Sequence, residues 1–207
     1  MMNTPAIFLD KDGTLVEDVP YNINPDLMVL TDGAARGLRR LSEAGYRLVV
    51  VTNQSGVARG YFPEAALEGV REDLDRLILR ASGARLAGFY YCPHHPEGVV
   101  PGYAIECDCR KPRPGMLLRA AKELDIDLSR SWMVGDVLND VEAGRRAGCR
   151  TILINNGNET EWQKGPYREP DFLAGDLSQA AEIILAHGEP GRSGAPAEAS
   201  RPATRTS

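Results

Sequence analysis

The chain has 207 residues, a formal net charge of -5, and 43% hydrophobic and 26% charged residues. This length predicts one domain, or one domain with an appendage, and the composition is typical of a globular protein with its own core. It excludes a small disulfide-stabilised protein. The apolar runs are too short for a membrane helix and the first residues lack a secretory signal pattern, so we expect a cytoplasmic protein with no membrane partner. The acidic net charge argues against nucleic-acid binding.

Short apolar runs alternate with segments of helical periodicity along most of the chain. The pattern predicts strands at 6–9, 46–52, 88–92, 131–135, 151–154 and 172–173, and helices at 33–44, 63–81, 114–124, 139–147 and 177–186. Such alternation predicts an α/β, Rossmann-like fold with a mostly parallel sheet and helices on both faces. We expect one domain over 1–187 and a disordered tail over 188–207, where Gly, Pro, Ala and Ser dominate.

Polar residues follow several of the predicted strands directly. Asp10 and Asp12 come after the first strand, Thr52 ends the second, and Asp136 follows the fourth. Carboxylates this close to a buried strand are costly unless a cation offsets their charge, and oxygen ligands of this kind suit Mg²⁺. The alternative is that both aspartates are ordinary turn or N-cap residues. We favour the catalytic interpretation because the ends of parallel strands meet at one edge of a sheet, where ligands bind.

These residue types support attack by a carboxylate on phosphorus, giving an acyl phosphate. Asp10 is the predicted nucleophile, and Asp12 the acid that protonates the leaving oxygen and then activates water. We expect the Thr52 hydroxyl and the backbone N–H groups of residues 53–54 to hold phosphate oxygens. Lys111 would supply fixed positive charge where negative charge develops.

Three of the four cysteines crowd one segment of the chain. Cys92 and His94 form one pair of soft ligands and Cys107 and Cys109 a second, on either side of residues 95–106. Three cysteines and one histidine form a known structural zinc set, so we expect a zinc-binding loop over 92–109 that fixes the two cations following it. His95 is a spare ligand candidate, and the alternative is that these are incidental loop residues. The isolated Cys149 is expected to be a small buried hydrophobe.

Six segments of the sequence resemble one known family. IFLDKDGTLV, VVTNQSG, CRKPRPGM and VGDVLND resemble, in order, the four motifs of the haloacid dehalogenase superfamily of aspartate-nucleophile phosphatases. With CPHHP and ECDC they are most similar to the D-glycero-D-manno-heptose 1,7-bisphosphate 7-phosphatases and the related histidinol phosphatases. The resemblance covers roughly residues 5–186 and implies a Mg²⁺-dependent phosphatase with structural zinc, acting in bacterial heptose supply for lipopolysaccharide or a related glycan.

The resemblance also implies roles for individual residues. The family's Mg²⁺ ligands fall on Asp10, the Asp12 main chain and Asp136, and it selects His94 as the zinc-binding histidine. Its phosphoryl-stabilising, substrate-recognition and substrate-contact positions fall on Thr52, Asn53, Gln54, Ser55, Arg110, Lys111 and the loop from Asp18 to Tyr21. Many heptose enzymes have a lysine where this chain has Val137, which puts one contact to the sugar in doubt.

The substrate is expected to be a small sugar bisphosphate. The long span between His94 and Cys107 favours the heptose enzymes over the histidinol phosphatases, which remain an alternative together with a broader sugar-phosphate phosphatase. Residues 16–52 leave room for one helix and a loop, so we expect no large cap domain. A phospho-acceptor signalling domain and a zinc-based interaction module are the alternatives from other classes. We expect a monomer.

Overall fold

The computed structural model describes residues 4–188, which form a three-layer α/β structure. Its strands are β1 Ala6–Leu9, β2 Arg47–Asn53, β3 Leu86–Cys92, β4 Trp132–Gly135, β5 Arg150–Ile154 and β6 Phe172–Ala174. Its α-helices are α1 Ala34–Glu43, α2 Ala66–Ser82, α3 Gly115–Glu123, α4 Leu138–Ala147 and α5 Leu177–His187. The predicted fold class is confirmed. The predicted tail lies outside the described residues apart from Gly188.

The six strands form one parallel sheet in the order β3-β2-β1-β4-β5-β6. The chain moves outward from β1 in one direction to β3 and then crosses over to β4 on the other side. The strand order therefore reverses at β1, and such switch points are where ligands bind in open α/β sheets. All four residues of β1 are buried, as expected for a central parallel strand.

Helices cover both faces of the sheet. Side chains of a strand alternate between faces, so Ile7 and Leu9 pack in a core with α1, α2 and α5, whereas Ala6 and Phe8 pack in a second core with α3 and α4. Between β1 and α1 the described chain contains only a loop and a short 3-10 helix, Pro25–Leu27. The expected absence of a large cap domain thus holds for residues 4–188.

The predicted bounds agree with the observed ones to within three residues, and the largest difference is at the start of α2. Helix α2 begins three residues later than predicted, because the carbonyls of Pro63 and Glu64 accept from residues three positions on and form turns first. The 3-10 helices Pro25–Leu27 and Leu128–Arg130 were not predicted, since such short turns have no hydrophobic periodicity to detect. Among residues 4–188 no helix has the length and apolar character needed to cross a membrane.

Candidate active site

The polar residues predicted at the strand ends meet at one edge of the sheet. Asp10 continues directly from β1, and its backbone N–H donates to the carbonyl of Val134 at 3.0 Å, which ties it to β4. Thr52 lies near the end of β2, and Asp136 directly follows β4. All three side chains are buried. The central strands therefore bring together residues that are far apart in the sequence.

Three buried carboxylates form a cluster at this edge. Oxygens of Asp10, Asp136 and Asp140 all lie within 4.8 Å of one another. The oxygens of Asp136 accept from the Thr14 hydroxyl at 3.0 Å and the Asn158 amide at 2.7 Å. Burial, and then repulsion from Asp10, raises the pKa of Asp136 to about 6. The cluster is therefore a site of excess negative charge that favours a cation.

Asp140 was not predicted as a site residue. It lies in the first turn of α4, where its Oδ2 accepts from the backbone N–H of the N-cap residue Val137 at 3.3 Å, which turns the carboxylate back toward the start of the helix and Asp136. Its side chain is fully buried, and burial raises the pKa of its carboxyl group, opposed by the neighbouring Lys111. An aspartate in the first turn of a helix that directly follows a strand end is the signal that could have identified it.

Lys111 lies at the centre of the charge arrangement. Its Nζ is 2.6 Å from Asp10 Oδ1 and 2.7 Å from Asp140 Oδ1, and it donates to the Val51 carbonyl at 2.9 Å. Burial alone would lower the pKa of Lys111, but the two carboxylates outweigh it and the pKa is raised. Asn53 fixes the backbone of this lysine through reciprocal hydrogen bonds of 3.0 and 3.1 Å. The ammonium is thus held charged beside Asp10.

The acidic edge fits a magnesium ion. Its possible ligand atoms are carboxylate oxygens, which Mg²⁺ prefers. Both oxygens of Asp136 are already oriented by their hydrogen bonds from Thr14 and Asn158. Gly13 approaches so closely that a Cβ there would lie 2.1 Å from Asp136 Oδ2. Its φ of +80° is also a conformation that glycine adopts readily. The glycine of the first motif is therefore needed to bring the loop onto Asp136.

Asp12 lies outside the three-carboxylate cluster. It forms an ion pair with the buried Lys11, a partner that the sequence analysis missed. Gln54 Nε2 donates to Asp12 Oδ2 at 3.1 Å and to the Thr52 hydroxyl at 2.9 Å, so one amide joins these two side chains. Burial raises the pKa of Asp12 although Lys11 opposes it. A carboxyl group in this environment is suited to carry a proton.

One predicted phosphate donor is wrong. The backbone N–H of Gln54 donates to the carbonyl of Cys92 at 2.8 Å, which joins the end of β2 to the end of β3. It is therefore not free to hold a phosphate oxygen. The side-chain amide of Gln54 is instead the polar group that this residue presents beside Thr52 and Asp12.

A cavity of about 270 Å³ opens beside Asp12. It is lined by the two loops that follow β1 and β2, and its lining residues are Asp12, Asp18, Pro20, Tyr21, Asn22, Asn53, Gln54, Ser55 and Gly56. Five predicted substrate-contact residues, Asp18, Tyr21, Asn53, Gln54 and Ser55, thus line this one cavity. Thr52 and Lys111 do not line this cavity. Both are buried: the Thr52 hydroxyl accepts from the side-chain amide of Gln54, and Lys111 donates to Asp10.

The predicted zinc ligands lie together at the C-terminal end of β3, whose last residue is Cys92. The three sulfurs of Cys92, Cys107 and Cys109 lie 3.2–3.4 Å apart, and Nδ1 of His94 is 3.4 Å from Cys109 Sγ and 3.7 Å from Cys92 Sγ. A tetrahedral zinc site with Zn–S bonds of about 2.3 Å has sulfurs about 3.8 Å apart, close to this arrangement. Hydrogen bonding from Cys92 lowers the pKa of Cys109, which favours a thiolate. The donor set therefore fits zinc.

The cysteine cluster continues directly into the two predicted cations. Arg110 and Lys111 follow Cys109 in sequence, and the Arg110 guanidinium donates to the His94 carbonyl at 3.3 Å. Burial lowers the pKa of Arg110. Half-buried Val137 occupies the position after Asp136, so this chain has no cation at that point. The loop thus contacts Arg110 directly, whereas the contacts of Lys111 are to Asp10, Asp140, Val51 and Asn53 outside the loop. That the loop fixes both cations stays a prediction.

Comparison with known proteins agrees with this geometry. The HAD-hydrolase-like family model matches residues 108–180. The D-glycero-beta-D-manno-heptose-1,7-bisphosphate 7-phosphatase of Salmonella typhi is 47% identical over 156 residues, covering 75% of this chain and 82% of that protein. The enzyme of the same name from Pasteurella multocida (strain Pm70) is 50% identical over 153 residues, covering 73% and 82%.

Solved structures give the same result. A HAD-like phosphatase from Mesorhizobium loti matches with a TM-score of 0.78 and 37% identity, covering 92% of this chain and 90% of that one. The D,D-heptose 1,7-bisphosphate phosphatase from B. bronchiseptica, complexed with magnesium and phosphate, matches with a TM-score of 0.76 and 34% identity, covering 89% and 100%. The chain belongs to the D-glycero-beta-D-manno-heptose-1,7-bisphosphate 7-phosphatase family of HAD-like hydrolases.

Proposed function

We propose that this chain hydrolyses the C7 phosphate of D-glycero-β-D-manno-heptose 1,7-bisphosphate through an aspartyl-phosphate intermediate, in bacterial heptose biosynthesis. The observation that carries the reaction class is the Asp10 carboxylate, buried at the switch point with Lys111 Nζ 2.6 Å from its Oδ1. The sugar and its β anomer are supported by the names of relatives 47–50% identical to this chain.

Asp10 attacks the phosphorus in the first step. A bond forms between its carboxylate oxygen and phosphorus while the bond from phosphorus to the sugar oxygen breaks, and Asp12 gives its proton to that oxygen. In the second step Asp12 takes a proton from water, whose oxygen attacks the same phosphorus. The acyl phosphate then breaks, which releases inorganic phosphate and restores the Asp10 carboxylate and protonated Asp12.

The surrounding residues stabilise and orient these steps. Lys111 holds one oxygen of Asp10 and places positive charge where the phosphoryl group gains negative charge. Gln54 fixes the Thr52 hydroxyl and the Asp12 carboxyl relative to each other. Mg²⁺, held by Asp10, Asp136 and the main chain of Asp12, would supply charge that offsets the repulsion between the nucleophile and the phosphate.

Substrate recognition is assigned to the cavity wall and to Arg110. The wall residues Asp18, Tyr21, Asn53 and Ser55 would contact the sugar, and Arg110 would contact the second phosphate, for which a guanidinium is suited. Zinc held by Cys92, His94, Cys107 and Cys109 would have a structural role, because it would tie together the ends of the loop that precedes Arg110. We also infer that the enzyme is a cytoplasmic monomer and takes no nucleic acid; the acidic net charge supports the last of these.

A phosphate-release panel tests the proposal. Both anomers of the heptose bisphosphate, fructose 1,6-bisphosphate and histidinol phosphate are compared with Mg²⁺ and with EDTA. We expect the highest kcat/KM for the β-heptose bisphosphate, dependence on Mg²⁺, and loss of turnover in Asp10→Asn but not in the exposed control Asp26→Asn. A higher kcat/KM for histidinol phosphate would overturn the substrate assignment, and wild-type turnover by Asp10→Asn would overturn the mechanism.

A further inference from the structure

Two exposed tyrosines meet at the cavity beside Asp12. The rings of Tyr21, in the loop after β1, and Tyr61, in the loop after β2, are edge to face with centroids 4.5 Å apart and an angle of 63°. Tyr21 lines the cavity, whereas Tyr61 is not one of the lining residues and is 61% exposed. Both rings are too exposed to contribute to the hydrophobic core. We therefore ask what the contact between the two loops does for the cavity.

Tyr61 stands on a firmly packed turn. Its backbone N–H donates to the Gly56 carbonyl at 2.9 Å. A Cβ on Gly56 would lie 2.4 Å from the ring of Phe62, so the glycine lets that ring pack directly against the turn. Phe62 is buried in a small cluster with Val57 and Leu67. The position of Tyr61 is therefore fixed by the packing beneath it.

Tyr21 lies at the tip of a loop that is anchored at its base. The backbone N–H of Glu17 donates to the Val29 carbonyl at 2.9 Å, whereas at the tip the N–H of Asn22 donates to the Val19 carbonyl within the loop itself. Tyr21 has a φ of +56°, which is unfavourable for a bulky residue and needs compensation from surrounding contacts. The ring contact with Tyr61 provides such compensation from outside the loop.

We propose that Tyr61 is a positioning residue that holds the loop of residues 17–24 in place through Tyr21, and so sets the affinity for the sugar part of the substrate. This inference rests on the proposed function, because it concerns the same cavity. Tyr61 lies outside the set of reacting groups. It acts by holding Tyr21 in its position at the cavity, which Asn53 and Ser55 also line. The loss of Tyr61 therefore raises the cost of ordering the cavity wall when substrate binds.

Steady-state kinetics of Tyr61→Ala test this role. An edge-to-face pair corresponds to roughly a 2- to 13-fold change in an equilibrium constant. We expect KM for the heptose bisphosphate to rise by about that factor at unchanged kcat, with KM for acetyl phosphate, which lacks a sugar, unaltered. Tyr61→Phe keeps the ring and should restore wild-type KM. The control Tyr167→Ala removes another exposed ring, one that packs on Arg146.

A double-mutant cycle and hydrogen exchange complete the test. Adding Tyr61→Ala to Tyr21→Ala should raise KM no further, because the pair is already broken. Backbone amides of residues 17–24 should exchange faster in Tyr61→Ala and at the wild-type rate in Tyr61→Phe. Unchanged exchange in Tyr61→Ala, additive effects in the double variant, or an equal kcat loss on both substrates would overturn the role. Absence of heptose bisphosphate turnover in the wild type would refute the proposed function alone, since the exchange measurement does not depend on it.

Discussion

Replacing Lys111 by Met should make the stability of the protein strongly dependent on pH. The ammonium lies 2.6 Å from Asp10 and 2.7 Å from Asp140, and its side chain is only 3% exposed. The substitution keeps much of the side-chain volume but removes the cation that residues 4–188 place beside these three carboxylates, whose oxygens lie within 4.8 Å of one another. Removing one partner of a buried ion pair costs about 3–5 kcal/mol.

The direction of the pH dependence follows from the carboxyl groups. Burial already raises the pKa values of Asp136 and Asp140, and Lys111 opposes the shift at Asp140. Without Lys111 the folded-state pKa of Asp140 rises further. A raised carboxyl pKa favours the protonated form in the folded state, so stability is retained near pH 4 and lost as pH rises through the folded-state values. Each unit of added shift costs about 1.4 kcal/mol above that range.

Urea unfolding at pH 5 and pH 7.5, in EDTA, measures this effect. We expect Lys111→Met to be about 3–5 kcal/mol less stable than wild type at pH 7.5 and closer to it at pH 5. Phosphatase activity should fall about 10²- to 10³-fold, because the charge beside the nucleophile is lost. The control Lys122→Met removes an exposed lysine on α3 and should change neither quantity. A Lys111→Met protein equally stable at both pH values would refute the electrostatic reasoning.

Three further predictions concern the cysteine loop, the substrate and the remaining thiol. Cys109→Ala should lower zinc content and activity together, as metal analysis and phosphate release would show; full activity without zinc would contradict the structural role. Arg110→Ala should lose the preference for a bisphosphate over a monophosphate, whereas an unchanged ratio of kcat/KM values would place the second phosphate elsewhere. Burial raises the pKa of Cys149 to about 12, so at pH 8 iodoacetamide should modify it only in the unfolded protein, and rapid labelling of the native protein would contradict its burial.

The fold could be predicted because its sheet is parallel and central. Strands such as β2 are buried on both faces, so their sequences are continuous apolar runs that stand out from the amphipathic helices. The start of α2 could not be placed from the pattern, because Pro63 and Glu64 are compatible with a first helical turn but form separate turns instead. Turns that are stabilised only by local hydrogen bonds do not produce a hydrophobic periodicity from which they could be predicted.

The site could be predicted as a set of residues but not as a network. Asp10, Thr52 and Asp136 could be predicted as site residues because each lies at the end of a predicted strand, and strand ends can be recognised in the sequence. The partners of these residues depend on long-range packing: Asn158, which orients Asp136, comes from the loop after β5. The hydrogen bond from the Gln54 N–H to the Cys92 carbonyl depends on how β2 pairs with β3. The sequence alone does not give that pairing.

The two cations that follow the cysteine cluster depend on it to different degrees. Lys111 is held by its ion pairs and by two hydrogen bonds between its backbone and Asn53, all of them outside the loop. The hydrogen bond that orients Arg110 goes to the carbonyl of His94, itself one of the four clustered residues. Loosening the cluster should therefore displace the guanidinium before the ammonium. In partly zinc-depleted protein, discrimination between bisphosphate and monophosphate should weaken before the chemical step does, and the reverse order would show that the loop supports Lys111 directly.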